Sequence, residues 1–472
     1  MKILLVKPKP RLRTILKLHP LIMLEPLELG YVAAAVPAGH EVRVLDLRLS
    51  RFPDFRYARV LKSFQPDLIG LSGYTHEVAR VKELARAARR LRPRARVIVG
   101  GHHATVLPQD YNDACFDAIV RGEGCAPFRA IVEAAAAGGD FHEIPNVMVP
   151  GARFDEAQAA LMPVYPDLAT LPAPRRDLWD PRPYRCIWPA EQHPPWQTIF
   201  PPVALVRTSF GCLMDCSFCV VPHLSGRRHL TRPPEAVAEE IAVLAQNHIY
   251  FCDDETFLNP EHAQAVAEAI RARGIRKRYF AWARSTTVNR RPELFRLWRE
   301  IGLDTVFLGF EAITDEALSG ISKHSSVAEN ERAHATLREL GIAVQAGFMV
   351  NADYTEEDFG RLQAYIARMP QAQVTLTVFT PSPGSEAWRQ ERRRYVCDPF
   401  ALHDCMHPLT PTAVPLKQFY RHFSDLVSAG AARSPLRKPG TRLPFREIVR
   451  VIAAAGGYSR ALRRAWRDFP RK

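Results

Sequence analysis

The stretch Cys-Leu-Met-Asp-Cys-Ser-Phe-Cys, residues 212–219, places three cysteines within one short loop. Three thiols cannot all pair with one another, so a disulfide bond leaves one sulfur unexplained. Cysteine thiolates are also ligands for zinc and for iron–sulfur clusters. Three cysteines in a C-x3-C-x2-C loop can hold three irons of a cubane and leave the fourth open. We therefore predict an iron–sulfur cluster on Cys212, Cys216 and Cys219; the alternative is a zinc knuckle completed by His223.

The pattern that follows from about residue 203 predicts a barrel. Candidate strands alternate with helical stretches, and they read VALVRTS, HIYFC, YFAWA, DTVFLGF, IAVQAGFMV and VTLTVF. Six strand–helix units favour a partial parallel (β/α)6 barrel, whose strand ends line a single site. The cysteine loop directly follows the first strand, which is where a barrel places its chemistry.

Residues 1–140 alternate in a similar way, with KILLV, EVRVLDL, DLIGLSG, RVIVGG and DAIVRGEG as buried strands. This pattern predicts an α/β domain with a Rossmann-like parallel sheet. Ligands of such sheets sit beyond the carboxyl ends of the strands, where glycines allow close approach of the backbone. The residues expected to bind a ligand there are Ser72, Gly73, Tyr74, Thr75, His76, Gly100, Gly101, His102, Gly122, Glu123 and Gly124.

Composition divides the chain of 472 residues into four regions. The first domain spans 1–140, a Pro-rich connector 141–200, the barrel 201–400, and a mostly helical, basic segment 401–472. The nine cysteines are odd in number and mostly scattered, which is not typical of a secreted disulfide framework. No apolar run reaches the ~18 residues that span a bilayer, and the start lacks the features of a signal peptide. We expect a cytoplasmic protein.

The net charge of +14 is concentrated at the C-terminal end of the chain. Residues 433–472 hold twelve Lys or Arg and two acids, but no zinc finger, RNA-binding signature or helix-turn-helix supports a nucleic-acid partner. Helical spacing places Phe445, Ile448, Val449 and Ile452 on one stripe, which Gly456-Gly457 is expected to interrupt. Two interpretations follow: a helix pair with a solvated basic face, or a segment in peripheral contact with the inner membrane.

The cysteine loop, after a strand and with an aromatic residue before its last cysteine, resembles the signature of the radical S-adenosylmethionine (SAM) enzymes. The resemblance implies a [4Fe-4S] cluster whose open iron binds SAM, with the three cysteines as catalytic and metal ligands. It also implies reductive cleavage of SAM to a deoxyadenosyl radical, and an electron donor such as flavodoxin or ferredoxin. The segments CDDETF, GFEAITDEAL and TPSPGSE resemble SAM-contacting strand ends, whereas Asn351 departs from the usual glycine. The SAM contacts implied are Phe218, Asp254, Glu255, Arg284, Glu311 and Pro381.

The N-terminal domain, with RGEG near its end, resembles the cobalamin-binding domain of cobalamin-dependent radical SAM enzymes. The D-x-H-x-x-G motif that supplies a lower cobalt ligand in other cobalamin folds is absent. We therefore expect His76, His102 and His103 to line the pocket and none of them to ligate the cobalt. The sequence leaves open whether His403, Cys405 and His407 bind a metal.

Together these resemblances imply a cobalamin-dependent radical SAM methyltransferase that methylates an unactivated sp3 carbon of a lipid or small molecule. The hopanoid C-3 methylases are the most similar group over about residues 205–425. The resemblance rests on the segments NPEHAQAVAEAIRARGIRKRYFAWARS, FRLWREIGLDTVFLGFEAI, TPSPGSEAWRQE and VPLKQFY. The alternatives are a cobalamin-dependent cyclase or isomerase without methyl transfer, in secondary-metabolite or cofactor biosynthesis, and a redox-sensing cluster protein without catalysis.

Overall fold

The first strand is an almost continuous apolar run, and only its first residue, Lys2, is exposed. Strands that are apolar on both faces are typical of parallel sheets covered by helices. The computed structural model describes residues 1–152, 154–188, 200–369, 372–432 and 445–470. In the N-terminal domain its elements are β1 (Lys2–Lys7), α1 (Arg13–Leu18), β2 (Ile22–Met23), α2 (Leu27–Ala34), β3 (Glu41–Asp46), α3 (Pro53–Phe64), β4 (Leu68–Ser72), α4 (Val78–Leu91), β5 (Arg96–Gly100), α5 (His102–Val106), β6 (Ala118–Val120), α6 (Cys125–Ala136) and β7 (Val147–Met148).

These strands form one six-stranded sheet in the order β3-β1-β4-β5-β6-β7. The first five strands are parallel, and β7 pairs antiparallel with β6. The strand order reverses direction between β1 and β4, which is the switch point where doubly wound sheets open a crevice for a ligand. The Rossmann-like parallel sheet predicted from the sequence is confirmed.

Alternate residues of the central strands enter two separate cores. Leu4 and Val6 of β1 pack with residues of α3 and α4 on one face. Ile3 and Leu5 of the same strand pack with residues of α2 and α6 on the other face. Because both faces are filled by side chains, only the carboxyl edge of the sheet is left to bind a ligand.

The connector and the barrel follow as α7 (Glu156–Ala160), β8 (Arg185–Cys186), β9 (Val203–Val206), β10 (Ser209–Phe210), α8 (Val221–Leu224), β11 (Leu230–Thr231), α9 (Pro234–Val243), β12 (His248–Phe251), α10 (Pro260–Ala272), β13 (Arg278–Ala283), α11 (Ser285–Arg290), α12 (Pro292–Glu300), β14 (Leu303–Glu311), α13 (Asp315–Gly320), α14 (Val327–Glu339), β15 (Ala343–Val350), α15 (Glu356–Arg368), β16 (Gln373–Val378) and α16 (Glu386–Glu391). Six of these strands form a parallel sheet in the order β16-β15-β14-β13-β12-β9. Sequential strands are neighbours, and no pairing joins β9 to β16 among the described residues. The predicted partial barrel is therefore confirmed.

A buried carboxylate fixes the N-terminal domain against the first strand of the barrel. Glu25 accepts a hydrogen bond from the backbone N–H of Leu205 at 2.7 Å and one from the indole of Trp179 at 3.2 Å. The guanidinium of Arg176 lies 3.3 Å from the same carboxylate and 2.8 Å from that of Glu240. The strand pair β2–β8 adds a second link between the N-terminal segment and the connector. Buried charged groups with several partners fix the position of the N-terminal domain relative to the barrel.

Two helices, α17 (Leu416–Ala432) and α18 (Phe445–Arg464), close the fold. α17 packs against β16, and α18 packs against both α17 and α1. Tyr458 and Leu462 of α18 belong to the core of the barrel. The expectation that Gly456-Gly457 interrupts the helix is wrong, because α18 runs through both glycines. Each glycine costs about 1 kcal/mol in a helix interior, and the packing of the flanking turns on α17 and α1 offsets that cost.

No helix in the described ranges has the length and apolar character that crossing a bilayer requires. The side chain of Ile448, part of the predicted apolar stripe, lies outside the described residues, as do positions 189–199 and 433–444.

Candidate active site between the two sheets

A cavity of about 380 Å³ lies where the carboxyl edge of the N-terminal sheet faces the first strands of the barrel. The barrel side contributes Leu205, Arg207, Phe210 and Cys252. Nine of the eleven residues predicted at the edge of the sheet line this cavity: Ser72, Gly73, Tyr74, Gly100, Gly101, His102, Gly122, Glu123 and Gly124. The fold thus brings the predicted ligand edge of one domain to the strand ends of the other.

Two glycines at this edge are required by their backbone conformation. Gly101 has φ of 103°, and a Cβ there would lie 3.1 Å from the hydroxyl of Ser72. Gly122 has φ of 69°, and a Cβ there would lie 3.0 Å from Pro163 of the connector. Left-handed backbone is costly for residues with a Cβ. Glycine at these two positions lets both loops pass close to their neighbours, and no side chain from either position enters the cavity.

Thr75 and His76 are not among the cavity-lining residues. Thr75 is buried, and its hydroxyl lies 3.2 Å from Nδ1 of His103. The ring of His76 is stacked near Tyr74, with its Nδ1 3.2 Å from the backbone oxygen of His403. Thr75 and His76 therefore pack beside the ligand edge of the sheet and do not line the cavity.

Of the three histidines considered as cobalt ligands, His102 alone lines the cavity. Burial lowers the pKa of His102 to about 4, so its imidazole is neutral near pH 7. His103 is fully buried, and its Nε2 lies 2.9 Å from a carboxylate oxygen of Asp110. The expectation that all three line the pocket is therefore wrong for His76 and His103. Sequence spacing alone did not show that neighbouring residues of α5 point in different directions.

Charged residues that the sequence analysis missed lie in the same cavity. Lys7, the last residue of β1, pairs with Glu28 at 2.5 Å and stands 4.6 Å from the ring centre of Tyr74. Burial disfavours the ammonium, but the carboxylate of Glu28 outweighs it and holds the pKa of Lys7 above its usual value. Arg207, directly after β9, lies between the rings of Tyr31 and Phe210 at 5.7 and 5.4 Å. Lys7 ends β1 and Arg207 directly follows β9, and this position at a strand end was the available signal.

The cysteine loop is positioned by carboxylates at the end of β12. Asp253 accepts hydrogen bonds from the backbone N–H groups of Thr208 at 2.7 Å and Ser209 at 2.9 Å. Asp254, one of the predicted SAM contacts, accepts from the N–H of Gly211 at 2.8 Å. Gly211 has φ of 94°, and a Cβ there would collide with the backbone oxygen of Arg228 at 2.0 Å. The turn into the loop therefore needs glycine directly before Cys212.

All three cysteines of the loop are free thiols. Cys216 is buried, whereas Cys212 and Cys219 are partly exposed. The N–H of Val221 lies 3.4 Å from the sulfur of Cys219, a contact that stabilises a thiolate. Three unpaired sulfurs on one short loop, one of them with a backbone donor, fit a cluster of the cubane type. Phe218, which lies between Cys216 and Cys219 in the sequence, is half-buried.

The predicted SAM contacts that follow β12 and β13 form one network beside Cys216. Glu255 is buried, and its Oε1 accepts from the hydroxyl of Thr287 at 2.5 Å and from the N–H of Arg284 at 3.3 Å. The other oxygen of Glu255 has no partner among the described residues. A buried carboxylate oxygen without a donor fits the ammonium group of a ligand such as SAM. The guanidinium of Arg284 lies 3.6 Å from the sulfur of Cys216 and bonds the backbone oxygen of Lys323.

Glu311 is the last residue of β14, and Pro381 follows β16. Glu311 sits at an irregularity of β14 with φ of 65°, and its carboxylate pairs with Lys323 at 2.8 Å. Pro381 is buried, and its carbonyl oxygen lies 3.2 Å from Nε2 of His403. Left-handed backbone is uncommon for a glutamate, and such conformations cluster at functional sites, which supports Glu311 as part of this site.

The second histidine cluster does not gather around a metal position. Nδ1 of His407 lies 2.8 Å from Asp404, and the exposed Cys405 is a free thiol. Within the ranges that the structure describes, no three His, Cys, Asp or Glu side chains surround a point that a single metal ion could occupy. A cubane spaces its ligands more widely than one ion does, so this observation leaves the cysteine loop unaffected.

Comparison with known proteins agrees with this architecture. Residues 16–132 match the family model of the B12 binding domain, and residues 206–366 match that of the radical SAM superfamily. The hopanoid C-3 methylase of Methylococcus capsulatus is 31% identical over 425 residues, which cover 89% of this chain and 78% of that protein. The similarity therefore extends well beyond residues 205–425 and includes most of the N-terminal domain.

Two solved structures share the fold. The radical SAM methyltransferase TsrM from Kitasatospora setae, with tryptophan and a SAM analogue bound, aligns with a TM-score of 0.63 at 21% identity, over 82% of this chain and 76% of that one. The cobalamin-dependent radical enzyme OxsB aligns with a TM-score of 0.67 at 15% identity, over 89% and 65% of the two chains. At these identities the likeness concerns the fold.

An α/β domain facing a partial barrel, with a three-cysteine loop after its first strand, defines a cobalamin-dependent radical SAM enzyme. The chain belongs to this family, and within it to the methyltransferases. Its cofactors are a [4Fe-4S] cluster, SAM and cobalamin.

Proposed function

We propose that the protein transfers a methyl group to an unactivated sp3 carbon of a polycyclic lipid of the hopanoid class. The observation that carries this proposal is the 31% identity to a hopanoid C-3 methylase across both domains. The apolar lining of the cavity, which includes Leu5, Leu27, Ile98 and Phe128, supports an apolar substrate beside the cofactors. A carbon without a lone pair cannot attack SAM directly, so its methylation needs the two cofactors together.

The proposed division of the chain follows its chemistry. Residues 1–140 bind cobalamin, 141–200 connect the two domains, 201–400 bind the cluster and SAM, and 401–472 form a basic helical segment. When bound, SAM and cobalamin supply the methyl group and the radical that removes hydrogen from the substrate. Cys212, Cys216 and Cys219 hold the cluster. The strand-end residues of the N-terminal sheet would hold the corrin, and none of His76, His102 and His103 would ligate the cobalt.

On the barrel side, the chain's own groups bind and orient SAM. The free oxygen of the Glu255 carboxylate receives the ammonium group of SAM, together with Asp254 beside the loop. Arg284 donates to the sulfur of Cys216, and Phe218, Glu311 and Pro381 complete the surroundings of SAM. His102 remains neutral and adds no charge to the cavity.

Two partners belong to the proposal. An electron donor such as flavodoxin or ferredoxin reduces the cluster, and the side chain of Leu213, 62% exposed beside Cys212, offers a contact near it. The other partner is the inner membrane. Phe445, Val449 and Ile452 are 79%, 48% and 66% exposed on α18, and helical spacing places them on one face. A peripheral contact through this stripe would collect a lipid substrate from the bilayer.

The test compares lipid extracts of cells with and without the gene. Cells with the wild-type gene should contain a hopanoid that is heavier than its precursor by one CH₂ unit. This heavier lipid should be missing when Cys216→Ala replaces the wild-type protein. In vitro, the purified enzyme should form S-adenosylhomocysteine together with 5′-deoxyadenosine. A cyclase or isomerase forms no S-adenosylhomocysteine, and a redox sensor turns over neither product. Identical lipid extracts from the two strains would contradict the hopanoid substrate.

A further inference from the structure

A small cleft of about 180 Å³ lies between α1 and α18, and it shares no lining residue with the cavity between the two sheets. Its charged lining consists of four cations, Arg13, Lys17, Arg460 and Arg464, and one acid, Asp468. Like charges that a fold holds together repel one another unless an anion lies among them. Two of these cations belong to the basic C-terminal segment, and α1 brings the other two to it from the N-terminal domain.

The cleft is formed by the packing of two helices. Gly457, Arg460, Ala461 and Arg464 follow the i, i+3, i+4, i+7 spacing of one face of α18, and all four line the cleft. Gly457 and Ala461 are the small residues of this face, and they let α1 approach closely. A Cβ on Gly457 would lie 3.9 Å from the Cδ of Lys17. The arginines form the walls, and α1 adds one cation from each of its ends. The packing of the two helices therefore places the four cations, all of them exposed to solvent, around one cleft.

None of the four cations has an ion-pair partner among the described residues. Elsewhere on these helices a pair does form, between Arg463 and Asp425 at 2.5 Å. Asp468 is already shared, because its carboxylate lies 3.5 Å from Nε2 of the buried His407. Lys17 and Arg464 lie in the last turns of α1 and α18, so the negative end of each helix dipole stabilises their charge. It does not account for Arg13, which begins α1 without an acid in the first turn.

We infer that this cleft is a binding site for a phosphate-class anion. The guanidinium of an arginine recognises phosphate oxygens by two parallel N–H donors, and clusters of basic residues attract anionic phosphate groups, including those of lipid surfaces. The anion can be a lipid phosphate or a soluble phosphate compound. The inference goes beyond the proposed reaction and does not depend on methyl transfer, because it concerns a site distinct from the cofactor cavity.

The experiment uses the reconstituted holoenzyme in a buffer without phosphate, at constant ionic strength set with chloride. Calorimetric titration with inorganic phosphate and with pyrophosphate tests a soluble source. Flotation with phosphatidylglycerol and with phosphatidylcholine vesicles tests a lipid source. Arg460→Gln with Arg464→Gln removes half of the cations. The matched control is Arg332→Gln with Arg338→Gln, two exposed arginines of α14 that give the same change in net charge.

We expect the Arg460/Arg464 variant to lose about tenfold or more in affinity for whichever probe binds, while the control variant binds like wild type. Binding of phosphate or pyrophosphate identifies a soluble ligand, and binding of phosphatidylglycerol vesicles alone identifies a head group. No binding of any probe, or equal weakening in both variants, would overturn the site.

A second variant distinguishes loss of the anion site from loss of folding. Ala461→Glu places a carboxylate on the floor of the cleft, where it can pair with the arginines. This variant should lose the response to the anion and should melt at a higher temperature than wild type without the anion. A variant that melts lower and still binds the anion like wild type would contradict the inference.

Discussion

The guanidinium of Arg284 lies 3.6 Å from the sulfur of Cys216, and so joins the end of β13 to the buried cysteine of the cluster loop. A cationic donor on a thiolate withdraws electron density and favours the reduced cluster. Arg284 is also held in place, because its other nitrogen bonds the backbone oxygen of Lys323.

Replacement of Arg284 by Met should therefore lower the midpoint potential of the cluster. One hydrogen bond of about 1 kcal/mol corresponds to about 40 mV for a one-electron couple. The measurement is a redox titration followed by electron paramagnetic resonance, with iron content determined on the same samples. Arg284→Lys should retain part of the potential, and Arg290→Met, an exposed change on α11, should leave it unchanged. An unchanged potential in Arg284→Met with full iron content would show that the contact does not act on the cluster.

The joint replacement of Cys212, Cys216 and Cys219 by Ala should leave almost no iron after anaerobic reconstitution and should abolish SAM cleavage. The physical reason is that these thiolates are the proposed cluster ligands. The measurement is iron per chain, with Cys397→Ala, which lies outside the loop, as the control. Retention of about four irons per chain in the triple variant, the content of one [4Fe-4S] cluster, would refute the assignment.

The absorption spectrum of bound cobalamin should not change when His76, His102 or His103 is replaced singly by Ala. The reason is that we propose none of these histidines as a ligand of the cobalt. Of the three, His102 faces the cavity, so its variant is the decisive one. His103→Ala should instead lower the free energy of unfolding by about 1–3 kcal/mol, because Asp110 and Thr75 lose a buried partner. A spectral shift in His102→Ala would identify this residue as a cobalt ligand.

The buried pair of His407 and Asp404 should make stability depend on alkaline pH. Burial disfavours the charged imidazole, but the carboxylate of Asp404, 2.8 Å away, outweighs it and raises the pKa of His407 to about 9. A pKa above the usual 6.5 means that the contribution is complete below pH 6.5 and is lost as pH rises through about 9. The contribution is about 3 kcal/mol.

The check is the melting temperature between pH 6 and about pH 10, the range that brackets this titration. Wild type should lose stability across the alkaline part of this range, and His407→Gln should be less stable below it and nearly independent of pH. A parallel decline in both proteins would show that another group is responsible.

Membrane association should depend on the exposed stripe of α18. Removal of the whole helix is a poor test, because Tyr458 and Leu462 belong to the core of the barrel. Replacement of Phe445, Val449 and Ile452 by Ser changes exposed side chains only, and should reduce sedimentation with anionic vesicles several-fold. Raising the salt concentration should weaken binding of the wild type as well, since salt screens the arginines. Equal sedimentation of both proteins would exclude the stripe as a membrane contact.

The local chemistry of this protein could be predicted from the sequence, because it depends on spacing along the chain. The interval between Cys212 and Cys219, and the position of that loop after an apolar strand, indicated the cluster and the barrel. Glycines and polar residues after apolar runs indicated the ligand edge of the first sheet. Parallel strands end on one side of a sheet, so residues that are far apart in sequence could be assigned to one site.

Tertiary structure decided which side chains face that site. His102 and His103 are neighbours in sequence, yet one lines the cavity and the other is enclosed by Thr75 and Asp110, because adjacent residues of a helix point in different directions. Likewise, no periodicity in the sequence brings Arg13 to Arg460. That approach depends on the packing of α1 against α18, which many weak contacts between distant segments determine together.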